Sequence, residues 1–218
     1  MEVCLVQLNK PFATVTPTLD GDVLAILARA DAAFTVSQIQ RVLESASGEG
    51  IRKVVNRLTA QGVVLRDRAG RTNTYRFNTE HLAAEPIKAL ARLHAAFLDR
   101  LEQTLDEWSS TLRYAAVFGS AATGRMTVDS DIDLLLVRAT VSDDNADDEW
   151  DRRVTELARL VTLWTGNDAR LVELTEDEIH AAAAADEPLL RDVAQQGLTV
   201  AGTRTWLSTQ LRPAARRP

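Results

Sequence analysis

The sequence predicts an α/β (α+β) chain of two domains joined by a long helix, and three observations lead there. Residues 19–61 carry three short runs of helical apolar periodicity, followed by strand-like runs at 63–68 and 72–77. Residues 86–108 repeat apolar side chains at three- and four-residue spacing, one continuous stripe. Residues 111–202 alternate apolar strands with helical segments, the order of a sheet covered by helices. The expected boundaries are 1–80, 81–110 and 111–218.

Bulk properties narrow the function classes. With 45% hydrophobic and 26% charged residues, the composition is that of a globular protein rather than a disordered one. No apolar run approaches the ~20 residues of a membrane span, and the N-terminus shows no signal-peptide pattern. The single cysteine, Cys4, excludes an intramolecular disulfide and a cysteine metal cluster. A cytoplasmic protein with no membrane partner is the expectation. The net charge of −6 is unevenly spread. Between Thr35 and Glu80 eight basic residues face four acids, so this segment carries +4 and the remainder −10. Such asymmetry points one part of the chain toward an anionic partner.

Taken in order, residues 1–18 mix aliphatics with Pro11 and Pro17 and read as a short strand or arm. From Leu19, Val23, Leu24, Ile26 and Leu27 form a helical face that ends near Asp31. Thr35 caps a second helix with Gln38 as its capping-box partner, and Val36, Ile39, Val42 and Leu43 line its buried side. A turn at 45–48 leads to a third helix, Glu49 to Gln61, with Ile51, Val54, Val55 and Leu58 inward and Gly62 as its stop. The strand-like runs that follow are joined by Ala69, Gly70 and Arg71, a turn suited to a hairpin.

Three helices and then a hairpin resemble the winged helix-turn-helix family over residues 20–78. That resemblance implies DNA binding, with the third helix in the major groove and the hairpin on the backbone or minor groove. Arg52, Lys53, Asn56 and Arg57 would project from the recognition helix, with Ser47 at its start for a phosphate and Arg68 and Arg71 at the wing tip. The plainer alternative is a solvated basic face on a protein-interaction module.

The linking stripe begins at Glu85-Pro86 and runs through Ile87, Leu90, Phe97, Leu101, Leu105 and Trp108. One helix of this length would span about 34 Å. It suits packing on its own chain or the seam of a homodimer, and His94 beside it reads as a packing or interface histidine rather than a ligand.

Past residue 111 the expected elements are strands 113–118, 131–138, 169–174 and 198–201, with helices at about 149–165 and 175–196. One stretch organises them. An apolar strand ends in Gly119-Ser120, a spacer carries Gly124-Arg125, and Asp129-Ser130-Asp131-Ile132-Asp133 opens a second apolar strand. Residues two apart in a strand share a face at about 6.6 Å, so Asp131 and Asp133 can converge on a hard divalent cation. The glycine turn ahead of them lets bare amides approach a phosphate. Together these are the parts of metal-assisted phosphoryl or nucleotidyl transfer.

The same residues resemble the signature of the DNA polymerase beta superfamily of nucleotidyltransferases, especially its minimal bacterial members. The resemblance implies a mixed sheet with flanking helices, Mg²⁺ or Mn²⁺ on Asp131 and Asp133, and a nucleoside triphosphate, with ATP the expected one. Gly119 and Ser120 would hold its phosphates and Arg125 would offset their charge. For Ser120 a turn cap, and for Arg125 a surface ion pair, are the plainer readings; Asp129 reads as a turn residue. A third carboxylate is expected on the strand Ala169–Leu174, where Arg170 stands instead, so Asp168 or Glu173 would have to complete the metal site. The acidic run Asp143, Asp144, Asp147, Asp148 and Glu149 reads as helix-dipole complementarity, and the alanines at 181–185 as helical filler.

Two functions follow. One is Mg-dependent transfer of a nucleoside monophosphate to an acceptor hydroxyl, coupled to DNA binding, with a toxin-like protein as partner in a toxin–antitoxin or defence role. The other is a DNA-binding transcriptional regulator whose transferase domain has lost catalysis and senses a nucleotide or holds a partner. An aminoglycoside-modifying transferase is weaker, since that task has no use for a winged helix.

Overall fold

The computed structural model describes residues 6–140 and 146–211; Cys4, Asp143 and Asp144 lie outside them. The chain divides into two units, one of them Lys10–Ala95, while the described residues 6–9 belong with those from Ala96 onward.

The Lys10–Ala95 unit holds helices α1 (Leu19–Arg29), α2 (Val36–Val42) and α3 (Gly48–Ala60), then the hairpin β1 (Val64–Ala69) and β2 (Thr72–Phe77), and α4 (Ala84–Ala91). The helix starts follow from their caps. Thr35 accepts from the Gln38 amide at 3.2 Å, while the Gln38 side chain takes the Thr35 amide at 2.7 Å. Ser47 accepts from the Gly50 amide at 3.0 Å, so α3 begins one residue earlier than its apolar periodicity predicts. Leu27, Ile39, Ile51 and Val55 are wholly buried in one core with Val23, Tyr75 and Phe77. Burial of each such aliphatic contributes about 1.5–3 kcal/mol. Phe34 adds a bridge beside β2 by exchanging both backbone hydrogen bonds with Tyr75 at 2.8 Å.

Where one helix is expected from Pro86 to Trp108, the structure has two, α4 and α5 (Leu93–Asp106), parted at Arg92. The break coincides with a contact from another helix. The Ala91 carbonyl, which an unbroken helix would give to the amide four residues on, accepts the Arg29 Nε at 3.0 Å instead. Ile87, Leu90 and Ala91 pack into the first core, whereas Phe97, Leu101, Leu105 and Trp108 pack into the core of the other unit. The stripe is therefore real, but it serves two cores rather than one.

In the second unit β3 (Leu112–Phe118), a short helix α6 (Gly119–Thr123), β4 (Ile132–Arg138), α7 (Ala146–Thr165), β5 (Ala169–Thr175), α8 (Glu176–Ala184), α9 (Pro188–Gln196), β6 (Leu198–Ala201) and α10 (Arg204–Gln210) follow in turn. The four strands form a mixed sheet in the order β5-β4-β3-β6, with only β4–β5 parallel. Leu134, Leu135, Leu136 and Val137 are all 0% exposed, which is why β4 reads as an unbroken apolar run: helices cover both of its faces. Leu134 and Leu136 face a core containing Leu101, Leu105, Trp108, Trp150 and Leu157. Leu135 and Val137 face Tyr114, Ile179, Leu190 and Leu207. Trp108 and Trp150 meet edge to face at 5.7 Å, and Tyr114 stacks on Trp206 at 5.7 Å.

Candidate functional site

Strand pairing gathers the organising stretch at one end of the two central strands. The antiparallel register sets Phe118 opposite Asp133, so the turn that leaves β3 starts beside the carboxylate that opens β4. Gly119 has φ +67°, and a Cβ there would lie 2.5 Å from Asp133 Oδ2. Glycine is needed at this position twice over, for the left-handed backbone and for the space. Helix α6 ends on Gly124, also left-handed at φ +68°, where Thr123 Oγ1 donates to the Gly119 carbonyl at 2.9 Å. Arg125 is exposed and its Nε donates to Thr123 Oγ1 at 3.0 Å, so the guanidinium folds along the turn.

Asp131 and Asp133 are both partly covered, and strand alternation puts them on one face. Burial raises the Asp133 carboxyl above the ordinary aspartate value; Arg170 opposes that shift and the like charge of Asp131 adds to it. The parallel register sets Arg170 directly beside Asp133, and its Nε pairs with Asp131 Oδ2 at 2.6 Å. A cation of the protein thus stands on the face of the two aspartates, at the position where the third carboxylate is expected.

The two substitutes for that carboxylate are placed differently. Glu173 is on the other face, where its Oε2 accepts Trp150 Nε1 at 2.7 Å, and the structure does not bring it to the aspartates. Asp168 is exposed and precedes β5 in register with Asp131; its backbone carbonyl accepts the Ile132 amide at 2.8 Å. Among the described residues no three His, Cys, Asp or Glu side chains gather as a metal site. Asp129 is exposed, in the turn closed by Ser130 Oγ accepting from the Thr127 amide at 2.9 Å. Asp147, Asp148 and Glu149 fall in the first turn of α7, Asp147 pairing with Arg138 at 2.5 Å.

Two asparagines that the sequence does not single out hold the loops in place. Asn167 is 0% exposed; its Nδ2 donates to the Ser130 carbonyl at 2.9 Å and its Oδ1 accepts the Val6 amide at 3.1 Å. It thereby fastens the residue before Asp131. Asn9 donates to the Gly124 and Met126 carbonyls at 2.9 and 3.3 Å, bracing the far end of the glycine turn. Their only trace in the sequence is a polar residue next to an apolar run, which is too common to signal anything.

In the Lys10–Ala95 unit the candidate anion-contacting residues lie on α3 and the hairpin. Arg52, Lys53, Asn56, Arg57, Arg68 and Arg71 are exposed, and Ser47 is the cap of α3. They are not equally available. Arg57 is held by Asp20 through contacts of 2.9, 2.6 and 2.7 Å. Arg52 leans on Glu49 at 2.6 Å, and Arg68 Nε donates to the Gly70 carbonyl at 3.2 Å. His94 is half-buried, its Nε2 has no partner among the described residues, and burial followed by the Arg29 charge lowers its pKa.

Residues 98–183 match the family model described as a nucleotidyltransferase domain, a span from within α5 to the end of α8 that contains every residue of the aspartate site. The chain therefore carries a domain of that class. Among solved structures, a toxin–antitoxin MntA–HpeT protein aligns at 21% identity over 52% of this chain and 80% of that one, with a TM-score of 0.37. A toxin–antitoxin structure with AMP-PNP aligns at 24% over 52% and 80%, TM-score 0.36. A nucleotidyltransferase structure from Sulfolobus solfataricus aligns at 21% over 50% and 82%, TM-score 0.28. No curated protein matches the chain. No described helix is long and apolar enough to cross a membrane.

Proposed function

We propose that the protein is a metal-dependent nucleotidyltransferase whose Lys10–Ala95 unit is a winged helix that binds DNA. The observation that carries the reading is the glycine turn set against a carboxylate: Gly119 leaves no room for a side chain beside Asp133. A turn shaped that way leaves amides open to a phosphate next to a pair of acids.

Asp131 and Asp133 are a fitting donor pair for Mg²⁺ or Mn²⁺, because Asp133 is partly buried beside a like charge that a cation would relieve. Bound there, the ion would neutralise charge on the triphosphate of the nucleotide. The Gly119 amide and the Ser120 amide and hydroxyl would hold the terminal phosphates, with Arg125 near the end of the same turn. Arg170 has a use in this site as well. Swung off Asp131, its guanidinium matches a phosphate in shape and charge. Asp168, exposed just before β5, would have to move toward the pair to serve as a third carboxylate. The acceptor is a hydroxyl, and by the motif's resemblance a toxin-like protein is the partner that would present it.

The Arg170–Asp131 ion pair at 2.6 Å supports a second reading: a regulator in which arginine has replaced a metal and the domain senses nucleotide or holds a partner. Calorimetric titration of ATP and the other nucleoside triphosphates, with and without Mg²⁺, into wild type and Asp131→Asn/Asp133→Asn separates the two. Metal-dependent binding that disappears in the double variant supports the transferase. No binding by the wild type at millimolar nucleotide overturns it and leaves the regulator that holds a partner.

A further inference from the structure

A recess of about 520 Å³ opens within the Lys10–Ala95 unit, lined by no residue of the aspartate site and by none of the exposed residues of α3. Three stretches line it: the end of α1 with the loop after it, the end of β2, and the last turn of α4. Four cationic side chains, Arg29, Arg76, Lys88 and Arg92, meet there against one lining carboxylate, Asp31. Phe77, 6% exposed, belongs to the wall, and four alanines between positions 28 and 33 keep the opening wide.

The walls are held in place by bonds that do not discharge the cations. Phe34 and Tyr75 exchange backbone hydrogen bonds at 2.8 Å, which pins the loop to β2. Arg29 is anchored by its Nε on the Ala91 carbonyl at 3.0 Å, a neutral acceptor. Arg76 reaches Asp67 at 3.2 Å and Lys88 reaches Glu85 at 2.9 Å, but the two partner carboxylates are 62% and 83% exposed, so water weakens both pairs. Arg92 has no ion pair among the described residues. Cations near the ends of α1 and α4 complement the helix dipoles, which accounts for Arg29 and Lys88. It does not account for Arg76, which comes from a strand.

We propose that this recess binds a small polyanion, a phosphate-bearing molecule with at least two negative charges. Its volume falls in the range of small-ligand sites, roughly 300–1,000 Å³. Three of its cations are guanidinium groups, whose planar forks match phosphate oxygens in pairs. A concave wall of one sign concentrates field where such an anion would sit. Neither the acids of the aspartate site nor the exposed residues of α3 line it, so the site stands apart from both proposed functions.

The test uses the full chain and inorganic tripolyphosphate in EDTA, so that no metal assists. Calorimetry should show one saturable site in the wild type, with affinity reduced at least tenfold in Lys88→Gln/Arg92→Gln. Affinity should be unchanged in Asp131→Asn/Asp133→Asn and in Arg52→Ala/Lys53→Ala, which report the other two surfaces. Thermal melts establish that each variant is folded, and Arg76→Gln serves if the first variant melts early. The proposal is overturned by the absence of saturable binding, by equal affinity in the recess variants, or by binding that the Arg52/Lys53 change removes instead.

Discussion

In the Lys10–Ala95 unit Arg57 grips Asp20 at 2.6 to 2.9 Å; in the second unit Arg170 holds Asp131 at 2.6 Å. The two carboxylates are almost equally covered, 24% and 23% exposed, and each arginine is more than half exposed. What differs is the next residue. Asp20 lies against the side of α3, and pairing there withdraws one positive charge from a basic surface. Asp131 has Asp133 two residues along on the same face, so pairing there cancels half of a negative charge that a metal would otherwise meet. One pair trims a surface, and the other sets the charge that a cation would meet at the two aspartates.

That contrast can be broken from either side, and the largest effect is expected where the backbone itself is at stake. Gly119→Val forces a β-branched residue to φ +67° and against Asp133. It should cost about 1–3 kcal/mol of backbone strain, with nucleotide binding lost as well. Urea unfolding reads the first effect, and adding Asp133→Ala should recover the part due to the clash but not the part due to φ. If Gly119→Val is as stable as wild type, the turn is not built as described.

Arg170→Asp should come next, replacing the opposing cation with a third carboxylate. Mg²⁺ affinity is expected to rise about tenfold or more, since charge count among oxygen ligands sets affinity. Unchanged Mg²⁺ binding by calorimetry would show that Arg170 does not control the site.

On the basic surface the expected changes are smaller. Lys53→Ala should lower the slope of log affinity for duplex DNA against log salt by about 1. Arg57→Ala should leave that slope nearly unchanged, because Asp20 already holds the side chain, and Asp20→Ala should steepen it by releasing Arg57. Equal effects of Lys53→Ala and Arg57→Ala would mean that the Asp20 pair opens on binding.

The smallest effect is one of pH. The folded-state pKa of Asp133 is raised, so its protonated form is favoured by folding. Its stabilising contribution is full below the ordinary aspartate pKa and is lost as pH rises through the raised value. Asp133→Asn should therefore be slightly more stable than wild type near neutrality, and the advantage should vanish on acidification. Melts at several pH values without metal would show it, and a constant difference across pH would refute it.

Much of this was legible in the chain itself. Period-two and period-3.6 apolar patterns are set by local geometry, so the strands of both units and helix α3 lie within a residue or so of where periodicity puts them, and β6 starts and ends at the expected residues. By contrast, α7 begins three residues early, Pro11–Thr14 is a short 3-10 helix rather than a strand or arm, and α10 has no counterpart among the elements expected from the sequence. The capping box at Thr35 and Gln38 is a contact between residues three apart and could be read directly. The Gly-Ser and Asp-x-Asp spacing was legible for the same reason, since each is a short segment with its own stereochemistry.

Other features depend on residues far apart in sequence, and no local pattern encodes them. The stripe from Pro86 to Trp108 breaks where Arg29, 62 residues from Ala91, takes a helix carbonyl. Glu173 turns to Trp150 and Arg170 to Asp131 because the register of β5 on β4 decides which neighbours each face meets. Asn167 and Asn9 matter only once folding brings the first residues of the chain to the loops they brace. The sequence by itself determined most of the elements and the candidate groups of the aspartate site, because hydrophobic period, caps and turn residues act over a few positions. Which charge stands beside which was left to the tertiary structure, because strand register and side-chain reach are settled only when the sheet closes.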